Sequence, residues 1–441
     1  MSISSLRLRA APRRRSELGL LFVGAVVVLI GSSLVSLAAT NTLPRRFIPL
    51  VLGIVIIGGV VQLANRYLVP DADPVLLPIA LVLNGIGYFM IERLDHAEAG
   101  QQLAWTAIGV LVYIAVLAVF RRSRDLERYR YLMLVAAFVL LVLPLAPKLR
   151  SSPANLYGAK LWISVGRFSF QPVEVAKLLL VLFFASYFVE KRELLTISTR
   201  RIGDILLPDA RAFGPILVAA AMSVLIILGE RDIGFSLLLF VVFLSMLWVA
   251  TGRLAYLLIG IAVFALGTLF ASHLLSQVDT RITVWLNPWT QASGNGYQPI
   301  QGELAFGRGN IFGSGLGLGL DPVLPAATND FIFAAIGEEL GLFGTVAVVA
   351  AFLLLIGSGI RAALSSRSEF AKLAAVGLTA MLGFQAFFIM AGVVRLLPLT
   401  GVTLPFVSYG GSSLVANYAL LALLMRISNE GNQPLDAPPS F

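Results

Sequence analysis

The chain has 441 residues, 58% of them hydrophobic and only 13% charged, with a mean hydropathy of +0.88. A soluble core cannot hide that much apolar surface, so a water-soluble globular enzyme is excluded and a membrane protein is expected. The formal charge of +9 raises nucleic acid as a partner, but the basic residues stand in short clusters between apolar runs, where they orient helices, and no nucleic-acid partner is expected.

No cysteine is present, which excludes disulfides, thiolate nucleophiles and cysteine-bound metals. His96 and His273 share no metal-ligand spacing. In chain order, Arg7, Arg9, Arg13, Arg14 and Arg15 make residues 1–15 a basic cytoplasmic N-terminus. Apolar runs follow near 16–39, 47–66, 74–92, 103–120, 131–147 and 172–189, then near 213–229, 234–250, 254–274, 341–360, 371–393 and 411–427. Each can cross a hydrocarbon core of ~30 Å as a helix. The expected fold is an all-α polytopic membrane protein with about twelve transmembrane helices, forming one membrane domain over 16–428. This threading puts Arg121, Arg122, Arg124, Arg128, Arg130, Lys191, Arg192, Arg361 and Arg367 in the cytoplasm with both termini, and leaves Arg45 and Arg46 outside as exceptions. The first run is too long for a signal-peptide core and leads into a second span, so it is expected to stay as an anchor. Residues 429–441 form a short cytoplasmic tail containing Pro434, Pro438 and Pro439. Two extracytoplasmic loops stand out, near 148–171 and 276–329.

The first loop leads into AKLWISVGRFSFQPVEVAKLLLV, in which Pro172 suits a first helical turn and Glu174 and Lys177 share one helix face. With Lys160, Trp162 and Arg167 upstream, the patch suits a diphosphate or an acid polarised by a cation. A capped helix with a snorkelling lysine explains it too. In LGERDIG, Glu230, Arg231 and Asp232 read as a wet hairpin tip or as an acid facing a shared cavity. The longer loop mixes Gly307, Gly309, Gly313, Gly315, Gly317 and Gly319 with aromatic residues and with Glu303 and Arg308. That mixture favours an ordered amphipathic surface able to fold over an extended ligand. Phe331 to Leu340 reads as a re-entrant or interfacial helix before a full span from Gly341, which makes Asp330, Glu338 and Glu339 site candidates. Capping by Asp330 competes with that reading. Gly410 and Gly411 open a last helix whose Ser412 and Ser413 either cap it or face an anion, with Arg395 on the same side.

Taken in order, FQPVEVAK, GERDIG, NPW…GYQ…AFGRG, NDFIFAAIGEELG and LTGVTLPFVSYGGSS resemble the shape, elongation, division and sporulation family, of the RodA and FtsW type. The resemblance implies a core of ten helices preceded by an N-terminal pair, as in an actinobacterial RodA-like branch. It implies a bacterial inner-membrane, inverting peptidoglycan glycosyltransferase. Such an enzyme polymerises a lipid-diphosphate-linked disaccharide pentapeptide (lipid II) into a nascent glycan strand outside the membrane, for elongation or for division. The implied partner is a class B penicillin-binding transpeptidase; no obligatory cofactor is implied, and a divalent cation such as magnesium is left open.

The family usually carries an aspartate base two residues after NPW; here that position is Gln291, an amide that takes no proton near neutral pH. Glu303, where the family commonly has an apolar residue, is the foremost substitute, with Glu174 and Asp330 as alternatives. Lys160, Trp162, Arg167, Lys177, Asp232, Arg308, Glu338, Arg395 and Ser412 are the candidate substrate-binding residues. A non-catalytic scaffold that activates the transpeptidase, and a transporter of the lipid-linked precursor, are the competing functions.

Overall fold

The computed structural model describes residues 3–42, 47–145, 162–165, 168–196, 198–202, 205–208, 233–274, 276–320 and 324–433. The first six helices are α1 (Ile3–Thr40), α2 (Phe47–Leu68), α3 (Leu76–Leu94), α4 (His96–Val119), the short α5 (Ser123–Arg128) and α6 (Arg130–Val142). Strands β1 (Ile163–Val165) and β2 (Phe168–Phe170) pair antiparallel, Ile163 opposite Phe170, and lead into α7 (Val173–Thr196). A second antiparallel pair, β3 (Ser198–Ile202) and β4 (Ile205–Pro208), carries an irregularity between Ser198 and Arg200. Then come α8 (Ile233–Thr251), α9 (Leu254–Leu274), α10 (Ser276–Leu286), α11 (Tyr297–Gly309), α12 (Ile332–Ser365), α13 (Glu369–Val393) and α14 (Gly411–Asn432).

Among the described residues, eight helices are long and apolar enough to span a membrane, with α6 and the Leu254–Gly267 part of α9 as shorter apolar helices. α7 is as long, but Glu174 and Lys177 interrupt its apolar run near one end and Glu190 to Glu193 near the other. The run expected at 213–229 lies outside the described residues; each of the others coincides with a helix.

Lipid is as apolar as a leucine side chain, so small residues and polar pairs hold such a bundle together more than hydrophobic transfer does. α13 shows this: Ala371, Ala374, Ala375, Gly377 and Ala386 are buried where it meets α12, α8 and α7. α14 packs most extensively on α4 and is buried along nearly its whole length. α2 lies at the periphery, buried only at Val61 and Asn65. There the Asn65 amide donates to buried Glu17 Oε1 at 2.8 Å, and the Tyr113 hydroxyl donates to Asn65 Oδ1 at 2.6 Å. This chain of bonds docks α1 and α2 on α4. The helices place residues 94–96, 171–174, 276–320, 324–331 and 394–411 at one end of the bundle, called here the loop-bearing end.

Candidate functional site

Glu174 and Lys177 lie one turn apart at the start of α7, facing the bundle interior. Lys177 Nζ is 2.6 Å from Glu174 Oε2 and donates to Gln385 Oε1 of α13 at 2.8 Å. Only 2% of Lys177 is exposed, so it does not snorkel. Gln385 Nε2 donates to the Thr403 carbonyl at 2.9 Å, and Thr403 Oγ1 donates to Ser413 Oγ at 2.8 Å. A continuous polar line thus runs from α7 through α13 to the start of α14, inside an otherwise apolar core. Ser412 does not cap its own helix, whose first turn has no side-chain cap; its Oγ accepts the Gln171 N–H at 2.9 Å and pins the lead-in to α7.

The glycine-rich stretch folds over the chain itself. α12 breaks at Gly341 (φ 66°), and Gly313 (φ 83°) faces the break so closely that a Cβ on either would meet backbone atoms, at 2.3 Å from Gly313 N and 2.2 Å from Glu339 O. Ser314 N and Gly315 N donate to the Glu338 and Glu339 carbonyls at 2.9 and 3.1 Å, and Leu342 N donates back to Asn310 O at 3.0 Å. The expectation that these glycines serve an extended ligand is therefore corrected at Gly313: its backbone is spent closing the kink. The break separates a buried piece, Ile332 to Glu339, from a lipid-facing helix with Leu342, Phe343 and Val346 exposed, which is where the sequence placed the boundary.

The two buried carboxylates at the break are met by this wrapping. Glu338 Oε1 accepts from Arg308 Nε at 2.7 Å and from Leu320 N at 3.0 Å. Glu339 Oε2 accepts from Gly317 N at 2.8 Å, and its Oε1 lies 3.4 Å from Arg93 Nε. Arg308 retains one buried nitrogen, Nη2, without a partner.

Gln291 closes the short turn Pro288–Gln291, which Asn287 caps by accepting the Trp289 N–H at 3.2 Å. Its carbonyl accepts from Gly294 N and Gly296 N at 2.9 and 3.0 Å, seating the turn on the start of α11. Six residues past Tyr297, about 9 Å along the helix, Glu303 meets Arg395 Nη1 at 2.5 Å, and 36% of its side chain stays exposed. Arg395 has a left-handed backbone (φ 57°), uncommon for a residue with a side chain. It is locked reciprocally to Trp285: Arg395 Nε donates to Trp285 O at 3.3 Å, and Trp285 Nε1 donates to Arg395 O at 3.1 Å.

Asp330 is partly buried two residues before α12, whose N-cap position is Phe331 and carries no side-chain cap. The same segment is tied to the loop before α14: Tyr409 N donates to Thr328 O at 2.9 Å, and Ser408 Oγ donates to Asn329 O at 2.8 Å. Beside it, a cleft of about 510 Å³ is lined by Arg93, Asp95, Glu98 and the 324–328 turn. The Tyr409 phenol donates to Gln101 Oε1 at 2.5 Å, and burial first, then the negative charges of Glu98 and Asp95, push its pKa up.

Glu174 with Lys177, Glu303 with Arg395, and Arg308 with Glu338 are thus brought together as three separate ion pairs at the loop-bearing end. Trp162 is partly buried just before β1. Lys160, Arg167 and Asp232, with Glu230 and Arg231, lie outside the described residues. Sequence reasoning missed Gln385, Thr403 and Arg93; a lone glutamine in the apolar run of α13 was the readable signal for the first.

Residues 75–433 match the family of FtsW, RodA and SpoVE, described as cell cycle proteins. The peptidoglycan glycosyltransferase RodA of Mycobacterium tuberculosis is 40% identical over 437 residues, spanning 97% of this chain and 93% of that protein. That of Mycobacterium leprae is 42% identical over 388 residues, 86% of this chain and 82% of its own. Among solved structures, a chain from a peptidoglycan synthase complex that coordinates polymerization and crosslinking superposes with a TM-score of 0.65 at 25% identity, over 82% of this chain and 99% of that one. The rod shape determining protein RodA of Thermus thermophilus gives 0.59 at 25% identity, over 84% and 100%. With its N-terminal helix pair lying ahead of the matched region, the chain belongs to the FtsW, RodA and SpoVE family.

Proposed function

We propose that this chain is a peptidoglycan glycosyltransferase that extends glycan from a lipid-diphosphate-linked disaccharide pentapeptide outside the inner membrane, beside a class B penicillin-binding transpeptidase. In this reading both termini are cytoplasmic and the loop-bearing end is extracytoplasmic. The observation that carries it is the Glu174–Lys177 pair, 2.6 Å apart, buried near that end and tied to Gln385 of α13. A charged pair kept in an apolar bundle is costly and marks a working site more often than a structural one.

In the reaction an acceptor hydroxyl attacks the anomeric carbon of the donor, the bond to the lipid diphosphate breaks with inversion, and a carboxylate takes the hydroxyl proton. Glu303 is the proton acceptor. Glu174 is committed to Lys177 in the interior, whereas Glu303 is reachable and stands on the helix that carries the Gln291 turn. Arg395 holds the Glu303 carboxylate until a diphosphate arrives; drawing the guanidinium to the leaving group, bidentate and charge-assisted, releases the base. A magnesium ion, where one takes part, would travel with the diphosphate, which supplies most of its oxygen ligands.

The test is polymerisation of lipid-linked precursor by the purified chain with its transpeptidase. The unmodified pair lengthens glycan, and Glu303→Gln stops it while leaving complex formation intact. Undiminished polymerisation by Glu303→Gln removes Glu303 from the mechanism. An inert parent that Gln291→Asp activates removes the catalytic reading of this chain.

A further inference from the structure

At the opposite end of the bundle, the turn after α4, the short α5, the turn before α13 and the last turns of α14 enclose a cleft of about 260 Å³. Arg121, Arg122, Arg124, Arg367 and Arg426 line it, with Glu430 as the one carboxylate in the lining. Glu430 is already engaged, accepting from Ser123 N at 2.7 Å and from the Ser123 hydroxyl at 2.5 Å. Arg367 donates to the Gln433 carbonyl. Arg121, Arg122 and Arg124 are exposed and form no ion pair among the described residues. The cleft therefore sets five arginines against one carboxylate and is net cationic.

Arg426 supplies the independent observation. It is 6% exposed, and its two terminal nitrogens donate to the carbonyls of Leu68, at 2.9 Å, and Leu117. Its Nε is buried and has no acceptor. A buried charged N–H without a partner is rare in folded proteins and implies an acceptor supplied from elsewhere. Topology alone accounts for exposed arginines at helix ends; it does not account for a buried one with a donor left over.

We propose that this cleft binds the phosphate group of an anionic phospholipid headgroup. Its volume lies below the ~300 Å³ where small-molecule pockets begin, which suits a phosphate group. It sits at the ends of spanning helices, where Val119 and Leu364, two residues before Arg121 and Ser366, are 70% and 75% exposed and offer apolar surface to acyl chains. Arginines between helix ends at the headgroup level are suited to such lipids. The leaflet follows from the orientation proposed above; the chemistry of the cleft does not depend on the polymerase reading.

The purified full chain in neutral detergent is titrated with short-chain phosphatidylglycerol, short-chain phosphatidylcholine or inorganic phosphate, and its unfolding midpoint is followed. Phosphatidylglycerol raises the midpoint and phosphatidylcholine does not. Arg122→Gln/Arg124→Gln, on exposed side chains whose loss spares the fold, raises the half-saturating lipid concentration about tenfold or more. Lys191→Gln, on a side chain that pairs with Glu190 and not with a residue of the cleft lining, leaves it unchanged. Equal responses to the two lipids, an unaltered titration in the cleft variant, or an equal loss in the control variant each overturn the proposal. Inorganic phosphate reproducing the full shift overturns the lipid as source and gives the cleft to a soluble phosphate.

Discussion

Breaking the buried pair on α7 gives the sharpest test of what holds the site. At 2.6 Å, two unit charges in an effective dielectric of about 20 attract by roughly 6 kcal/mol before desolvation is subtracted. Removing one partner of a buried pair typically costs about 3–5 kcal/mol, because the other charge is stranded. Glu174→Gln leaves Lys177 with the Gln385 carbonyl oxygen at 2.8 Å, so the expected loss is about 3 kcal/mol, at the low end of that range. Lys177→Met strands Glu174 and also frees Gln385, so its loss lies towards about 5 kcal/mol. Removing both charges together leaves no stranded ion, and costs only about 1–2 kcal/mol for the Gln385 oxygen that loses its donor. A double-mutant cycle, read by tryptophan fluorescence during unfolding in mixed micelles, then shows a coupling of about 6–7 kcal/mol. If the double variant loses the sum of the single losses, the two residues act independently and the pair does not hold the site.

Three further outcomes follow from the geometry. Gly341→Ala is expected to cost about 2–5 kcal/mol, from the left-handed backbone and the backbone contact at Gly313, while Gly357→Ala, where a Cβ meets nothing within 4 Å, is neutral or stabilising in the same unfolding assay. Because the Tyr409 pKa is raised in the folded chain, its contribution is complete below the unfolded value of about 10 and is lost as pH rises beyond it; stability scans above that pH should fall less steeply in Tyr409→Phe. Arg395→Lys keeps the charge but not the planar fork that reaches Glu303 and the carbonyls of Trp285 and Leu286. It is expected to shift Trp285 fluorescence and to slow polymerisation, and an unchanged spectrum would count against the reciprocal lock.

Hydropathy located the spans because a bilayer crossing demands a long apolar run whatever the neighbours are. The i, i+3 spacing likewise sufficed for Glu174 and Lys177, a contact internal to one helix. Contacts across helices were not legible: nothing in the spacing of Arg395 and Glu303, 92 positions apart, announces their bond. The glycine-rich run was read for its freedom, but which partner used that freedom depended on the break at Gly341, a tertiary fact. The hairpin β1–β2 is not legible in the sequence, since three-residue strands carry too little alternation to register.

Gln291 and Glu303 pose a question that their positions can answer. The family resemblance expects an acid at the first position and an apolar residue at the second; this chain holds an amide and an acid. If Glu303 compensates, the two positions are alternatives for one role, although Gln291 lies in the turn before α11 and Glu303 stands six residues, about 9 Å of helix rise, beyond that helix's first residue. Such a displacement can be absorbed by a substrate held at its diphosphate, because the acceptor hydroxyl is free to approach from the side where the base stands. Glu303→Leu alone then abolishes polymerisation, and Gln291→Asp/Glu303→Leu, which recreates the family pair, restores it. A single Glu303→Leu variant that still polymerises, or a double variant that stays inert while binding its transpeptidase normally, would break the equivalence. In the first case the proton passes to another acid, Glu174 or Asp330. In the second, the backbone around residue 291 has moved away from the reacting sugar and no side chain there can act.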